Sequence, residues 1–404
     1  MAKRSLHTSS RTAIVASVKQ NNYLTRSGVS SHYHNTSVGV TNPMPPAPLN
    51  PNKLHFFGHS PDALDQTVTD WGWPKFRGHQ MRQWVYHKLV AKAAQMTDLS
   101  LRDRDLLAQR IDFCASQVTM QQASSDGTLK LLLTWPGGAA AETVMIPDGD
   151  RRTACVSSQV GCPVGCKFCA SGLSGVKGNL TAGQIVEQIY RLNLLLQPAA
   201  QRITNIVFMG MGEPLANYAN VTTAVRILHD PDCFNIGARR ITISTVGVPA
   251  KMRELAGEKL PINLAISLHA PNEELRRQLI PWAEHFALDE ILDAARFYFD
   301  RTGREVTLEY ILLSEVNDRP EHARELARLC RTLRANVNLI RYNQVEGLPF
   351  IRPRSADAIK FQEVLRANGV NAHVRKSRGR DIDAACGQLR RKQGAVAELP
   401  IADL

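Results

Sequence analysis

Three cysteines crowd into one short stretch, "GCPVGCKFCASG", as Cys162, Cys166 and Cys169 in a Cys-x3-Cys-x2-Cys arrangement. Thiolates are soft ligands suited to iron-sulfur clusters or zinc, and a cube of four irons needs four ligands. Three close cysteines leave one iron open to a reactant, whereas structural zinc calls for a closed set of four. The spacing therefore favours an open iron-sulfur cluster. A zinc loop completed by Cys155 or a distant histidine is the alternative, although paired Cys-x2-Cys units would suit it better. Gly161, Gly165 and Gly172 permit the tight loop that gathers three sulfurs.

Other groups able to do chemistry say little singly. Cys386, in "DIDAACGQL", reads by itself as a small buried residue. Cys155, seven residues before Cys162, reads as a strand-core cysteine, and Glu142 as an ordinary solvent-facing strand glutamate. Glycines at a strand end, as in "MGMGEP" with Gly212 and Glu213, usually make a turn. His269 alone reads as structural, as do Cys114, Cys233 and Cys330.

The elements that must position these groups follow from periodicity. Between residues 152 and 375, short apolar runs alternate with helical stretches, the runs being 154–158, 203–209, 240–245, 262–268, 306–313 and 337–342. Thr181 and Gln184 match a capping box, and Ile185, Ile189 and Leu192 share one face of the helix it opens. Six successive βα units imply a parallel sheet curled into a partial barrel, with chemistry at the C-terminal ends of its strands. Before it, Asp126-Gly127 and Pro136-Gly137-Gly138 bracket the run Leu129 to Trp135, and "AETVMIP" follows, which predicts a two-stranded hairpin carrying Glu142. Helical spacing from Trp71 to Ile111 puts Met81, Trp84, Val85 and Leu89 on one face.

With 404 residues, 44% of them hydrophobic and 21% charged, the chain is long enough for one large core plus an accessory unit. No apolar run approaches the roughly 18 to 20 residues of a membrane-spanning helix. Eight cysteines are too sparse for a disulfide-stapled scaffold, so a reducing, cytoplasmic setting is expected. The formal charge of +12 invites a nucleic-acid partner, but half of it lies in residues 1–61, which hold Lys3, Arg4, Arg11, Lys19, Arg26, Lys53 and no acid. That Ser-, Asn- and Pro-rich tail is expected to be disordered, an organelle transit peptide being the alternative.

The cysteine spacing, with Phe168 before the third cysteine, resembles the signature of the radical S-adenosylmethionine superfamily. The motifs "ETVMIP", "CVSSQVGC", "CKFCASG", "FMGMGEPLAN", "RRITISTVGV", "LAISLHAPN", "VNLIRYN" and "GRDIDAACGQL" are similar to those of the RlmN and Cfr adenine methyltransferases, from about Phe76 to Leu389. The resemblance implies an α/β fold: a partial (βα)6 radical-SAM barrel over 151–376, preceded by a small N-terminal helical RNA-binding accessory domain (66–120) and a β-hairpin extension (121–150). The basic tail (1–65) and a C-terminal segment with the reactive cysteine (377–404) complete the expected domains.

It also implies roles. Cys162, Cys166 and Cys169 would hold one 4Fe-4S cluster, and Gly212, Glu213, Ser244, Ser267, Leu268, His269 and Asn343 would contact S-adenosylmethionine. In the family, the cysteine matching Cys386 accepts a methyl group from one S-adenosylmethionine, as a thiolate nucleophile does. A second molecule is cleaved to a deoxyadenosyl radical that takes hydrogen from the methylated sulfur, and the resulting carbon radical adds to the adenine. Cys155 would release the product by forming a disulfide with Cys386, and Glu142 would be the proton acceptor. The implied partners are 23S rRNA, tRNA and an electron donor such as flavodoxin, with no membrane.

The implied product is methylation at carbon 2 of an adenine in the peptidyl-transferase region of 23S rRNA and of the adenine after the anticodon in tRNAs. Carbon 8 methylation, as by Cfr-type enzymes, is the alternative: "LIRYNQ" has Arg341 and Tyr342 and no proline after Asn343. An iron-sulfur redox sensor or RNA-binding protein without catalysis is a further one. Arg375, Lys376, Arg378 and Arg380, with Arg390, Arg391 and Lys392, are expected to steer phosphates to Cys386, while Arg77, Arg82 and Lys88 belong to the accessory domain. The target adenine must be unstacked, so single-stranded loops are the expected substrates.

Overall fold

A computed structural model describes residues 53–389 apart from Ala91. The N-terminal portion is organised by two aromatics, Phe56 and Phe57, which are fully buried and pack edge-on against each other; Phe57 also meets Tyr86 edge-on, and Phe56 packs on it at a tilt. Strand β1 (Leu54–His55) pairs in parallel with β2 (Ile111–Asp112), and α1 (Pro61–Asp70), α2 (Phe76–Arg82) and α3 (Leu101–Arg110) lie between them in sequence. Ser60 and Ser100 cap α1 and α3 through their hydroxyls, each satisfying a backbone N–H that the helix leaves over.

Two expectations change here. The ordered fold begins before residue 65, because burial of Phe56 and Phe57 ties down what the composition presents as tail; residues 1–52, where the rest of that expectation falls, lie outside the described residues. Met81, Val85 and Leu89 are buried together as predicted, but Trp84 is not. The helix widens into a π turn over Gln83–His87, which swings Trp84 outward to donate its indole N–H to Asp98 at 2.6 Å.

An antiparallel meander follows: β3 (Gln117–Ala123), β4 (Leu129–Thr134), β5 (Ala140–Asp148) and β6 (Arg151–Cys155). The predicted hairpin is its middle. Strand β3 was not predicted, since Gln117, Gln121 and Gln122 give it no apolar face. A short antiparallel pair, β7 (Gln159–Gly161) and β8 (Val176–Asn179), frames the cysteine loop, and α4 (Ala182–Leu196) opens on the predicted Thr181–Gln184 capping box, a motif whose N-cap bond is worth about 1 kcal/mol.

The strand–helix alternation then runs β9 (Asn205–Phe208), α5 (Tyr218–His229), β10 (Ile241–Thr245), α6 (Pro249–Ala256), β11 (Asn263–Ser267), α7 (Glu273–Leu279), α8 (Leu288–Thr302), β12 (Val306–Leu312), α9 (Pro320–Cys330), β13 (Ala335–Arg341), α10 (Ser355–Ala367) and β14 (Ala372–Arg375). Meander and alternation share one ten-stranded sheet of order β14-β13-β12-β11-β10-β9-β6-β5-β4-β3. Its parallel half contains the six predicted strands and adds β14, too short and too mixed in character to stand out. The first of the six lies three residues earlier than predicted, which puts Cys155 at its C-terminal end. Among the described residues, no helix is long and apolar enough to cross a membrane.

Helix α4 joins the two halves. Phe57 packs on Tyr190 with ring centroids 4.8 Å apart, and the buried carboxylate of Glu187 gathers His55 at 3.0 Å, the N–H and hydroxyl of Ser116 at 2.7 Å each, and the Trp135 indole N–H at 2.8 Å. Burial would raise the carboxyl, but the His55 and Ser116 interactions outweigh it and hold Glu187 at about 2.

Candidate active site

The cysteine loop closes on glycine. Gly161 has φ +79°, and a Cβ there would collide with the Gly175 carbonyl oxygen across the loop. Cys162, Cys166 and Cys169 line one cavity with Phe208, Ser244, Ser267 and Ile311, residues from the C-terminal halves and ends of β9 to β12. All eight cysteines are free. Among the described residues, no three His, Cys, Asp or Glu side chains converge as they would on a single metal ion.

Burial pushes the Cys162 thiol up to about 12, opposed by the N–H groups of Val164 and Gly212; it also raises Cys169, opposed by donors from Ser171 and Gly172. Donors aimed at sulfur are what thiolates bound to an iron cluster need, and the metal's own charge supplies the remaining stabilisation. The donor set fits a cluster held by these three residues.

The cavity wall brings together Gly212, Glu213, Ser244, Ser267 and His269. Gly212 has φ +106°, and a Cβ there would lie 2.7 Å from Ser158 Oγ and from Gln159 Cβ, so only glycine lets "MGMGEP" pass this close. Glu213 accepts N–H bonds from Leu215 at 2.9 Å and Val246 at 2.8 Å, and burial raises its carboxyl to about 7. Ser244 and Ser267 hydroxyls are 3.3 Å apart.

His269 sits at φ +59°, unusual for a residue with a side chain, and its Nδ1 accepts the Ile311 N–H at 3.1 Å. Burial, with Arg276 nearby, lowers it to about 3, so the ring is neutral and carries its proton on Nε2. Its ring and that of Phe168 stand nearly perpendicular, with centroids 5.0 Å apart. Leu268 is not on the cavity surface: it is fully buried, and its backbone N–H donates to the Glu309 carbonyl at 3.0 Å.

A second cavity adjoins the first. Cys155, Met209, Asn343, Arg375 and Cys386 line it, and Cys386 borders both. Cys155 and Cys386 thus share one chamber as free thiols. Burial pushes Cys155 up to about 12, with Cys386 adding to the shift; burial also raises Cys386, while Arg375 pulls both back down. Asn343 donates to the Cys386 carbonyl at 3.1 Å rather than facing the cluster cavity.

Glu142 is not solvent-facing, as its strand position alone suggests, but 1% exposed, and it lines neither cavity. It pairs with Lys130 at 3.2 Å, and Lys130 Nζ donates to the Asp383 carbonyl at 3.2 Å, three residues before Cys386. The Cys386 loop is further fixed by Ser124 Oγ to Asp381 at 2.5 Å, Ala170 N–H to the Gly387 carbonyl at 2.8 Å and Ser171 Oγ to the Leu389 carbonyl at 2.7 Å. Antiparallel extension and cysteine loop therefore grip it from two sides.

Sequence reasoning missed Glu309, which lines the cluster cavity and faces Arg375 at 3.6 Å. An acid in the middle of an apolar strand was the available signal. Lys130, likewise inside a buried strand, was the same signal unread. Arg375 turns to Glu309 rather than to solvent alone, and Arg82 is buried against Asp65 at 2.6 Å, which removes it from any RNA-facing set. Arg390, Arg391 and Lys392 lie outside the described residues.

An open α/β sheet with three cysteines at its strand ends defines a radical S-adenosylmethionine protein. Residues 156–329 match the model of the radical SAM superfamily, and residues 54–117 that of the ribosomal RNA large subunit methyltransferase N-terminal domain. The chain is 44% identical over 346 residues to a probable dual-specificity RNA methyltransferase RlmN from Rhodopirellula baltica, covering 86% of this chain and 93% of the relative. It is 47% identical over 337 residues to the protein of that name from Symbiobacterium thermophilum, covering 83% and 91%. The crystal structure of a radical SAM methyltransferase from Sphaerobacter thermophilus superposes with a TM-score of 0.81 at 42% identity, covering 85% of this chain and 99% of that one. The chain belongs to the RlmN family of radical SAM RNA methyltransferases.

Proposed function

We propose that this protein methylates carbon 2 of one adenine in 23S rRNA and of the adenine 3′ to the anticodon in tRNAs, through a methyl group carried on Cys386. The position of Cys386 on the border of two cavities carries this reading. When bound, the cluster and two S-adenosylmethionine molecules per turnover supply a methyl group and a hydrogen-abstracting radical.

Cys162, Cys166 and Cys169 hold the cluster, and Gly212, Glu213, Ser244, Ser267 and His269 orient S-adenosylmethionine beside it. Leu268 contributes through its backbone, and Asn343 acts by fixing the Cys386 backbone. The Cys386 sulfur accepts the methyl and presents it toward the adenine. Cys155, in the same chamber, would release the product by attacking the Cys386 sulfur: the bond from that sulfur to the transferred carbon breaks, the carbon keeps the electron pair and takes a proton to become the methyl group, and the electron donor reduces the Cys155–Cys386 disulfide left behind. Glu142 takes up the proton lost from the adenine, reached through movement of the Lys130–Asp383 contact. Electrons come from a donor such as flavodoxin, and the setting is cytoplasmic.

The second reading, carbon 8 methylation of the rRNA adenine, is favoured by Arg341 and Tyr342 in "LIRYNQ". Nucleoside mass spectrometry of RNA treated with the reconstituted protein separates them. The expected product is 2-methyladenosine; 8-methyladenosine in its place transfers the assignment to the second reading.

A further inference from the structure

Around the chamber of Cys155 and Cys386 stands a group of cations. Lys376 and Arg378 line the chamber. Arg352, at the end of the segment after β13, donates to the carbonyls of Arg341 and Tyr342 at 3.1 and 2.6 Å, to Asn343 Oδ1 at 2.8 Å, and to Ser377 Oγ at 3.2 Å. It therefore ties the end of β13 to the strand-end segment that carries Lys376 and Arg378. Arg341 and Arg380 are close enough that their charges oppose that of Arg352.

Among the described residues some arginines pair with an acid, as in Arg354–Asp357, Arg296–Asp293 and Arg375–Glu309, and many do not; what marks this group is its clustering beside one chamber. Among the described residues, none of Arg341, Arg352, Lys376, Arg378 and Arg380 makes an ion pair. Gathering like charges without a counter-charge costs stability, and an anion bound among them removes that cost. A planar guanidinium fork suits a phosphodiester in particular.

We infer that Arg341, Arg352, Lys376, Arg378 and Arg380 form a rim that binds the RNA phosphodiesters flanking the target base, holding that base over the Cys155–Cys386 chamber. The inference rests on the RNA-methylating reading above. It separates Arg375, whose partner is Glu309 inside the protein, from the neighbouring cations that face the substrate.

The test is fluorescence anisotropy of the full-length, cluster-loaded protein with a labelled RNA stem–loop bearing an unpaired adenine, over a range of salt concentrations. Each phosphate contact to single-stranded RNA contributes about 0.7 to the slope of log affinity against log salt. Arg378→Ala with Arg380→Ala is expected to lower that slope by about 1 to 1.5 and affinity at low salt by about tenfold. Arg341→Ala, as a single change, should lower the slope by about 0.7. Arg296→Ala on the outer helix α8 should leave it unchanged. Wild-type-like slopes in both rim variants overturn the rim while leaving the methylation reading intact. Failure of the wild-type protein to bind the stem–loop overturns that reading and the rim with it.

Discussion

The two cavities that meet at Cys386 are built on opposite principles. The cluster cavity is walled by strand ends of one continuous parallel sheet, with its polar groups tied inward: Glu213 to two backbone N–H groups, His269 neutral and locked by Ile311. The Cys155 chamber is assembled from separate pieces: the end of β6, the segment after β14, and a loop gripped by the antiparallel extension. Its rim is cationic. The first suits a small cofactor shut away from water, the second a polyanion arriving from outside. One sulfur serves both.

Cys166→Ala should have the largest effect, because it removes a ligand common to everything downstream: iron per chain is expected to fall from about four to near zero. Retention of full iron would show that the three cysteines do not act as one ligand set. Cys386→Ala should divide the cavities cleanly. RNA methylation is expected to drop by at least about a thousandfold, as when a covalent nucleophile is lost, while iron content and cleavage of S-adenosylmethionine to 5′-deoxyadenosine persist. Loss of iron in this variant would place Cys386 with the cluster instead.

Arg375→Gln probes the wall between the cavities. Arg375 lowers both Cys386 and Cys155, so its loss should leave less Cys386 thiolate and slow alkylation of Cys386 by iodoacetamide at neutral pH. The salt slope for RNA binding should not move. A changed slope with unchanged alkylation would assign Arg375 to the rim.

The smallest effect is expected far from both cavities. Glu187 is held at about 2 against an unfolded value near 4.3, so the unfolded chain binds more protons between those values. The stability it contributes is complete above about pH 4.5 and is lost as pH falls toward 2. Glu187→Gln should cost about 3 kcal/mol at neutral pH in urea unfolding and flatten the acid limb of the stability profile. An unaltered acid limb would mean that the contact between accessory unit and α4 rests on Phe57–Tyr190 packing alone.

The contrast between the cavities is also a contrast in legibility. Cys162, Cys166 and Cys169 stand within one loop, so their spacing announced the cluster, whereas Gly212, Glu213, Ser244, Ser267 and His269, at or just beyond strand ends, were marked only by the family resemblance. The second chamber depends on contacts spanning 43 residues for Asn343–Cys386, 253 for Lys130–Asp383 and 257 for Ser124–Asp381, which no local pattern encodes. Glu142 shows the limit most plainly: alternation placed it on a strand, but only the loop folding over that strand makes it 1% exposed. Strand β3 and the π turn at Gln83–His87 escaped for a related reason, since tertiary pairing, not propensity, sets them.

The sharing of Cys386 is tested most directly by following one labelled methyl group. Reduced, cluster-loaded protein is incubated with S-adenosylmethionine carrying an isotopic label in its methyl group, and the Cys386 peptide is analysed by mass spectrometry before and after RNA is added. Label on the Cys386 sulfur before RNA, and in the methylated adenine afterwards, is the expected result. Label reaching the adenine while Cys386 never carries it would contradict the role assigned to that sulfur.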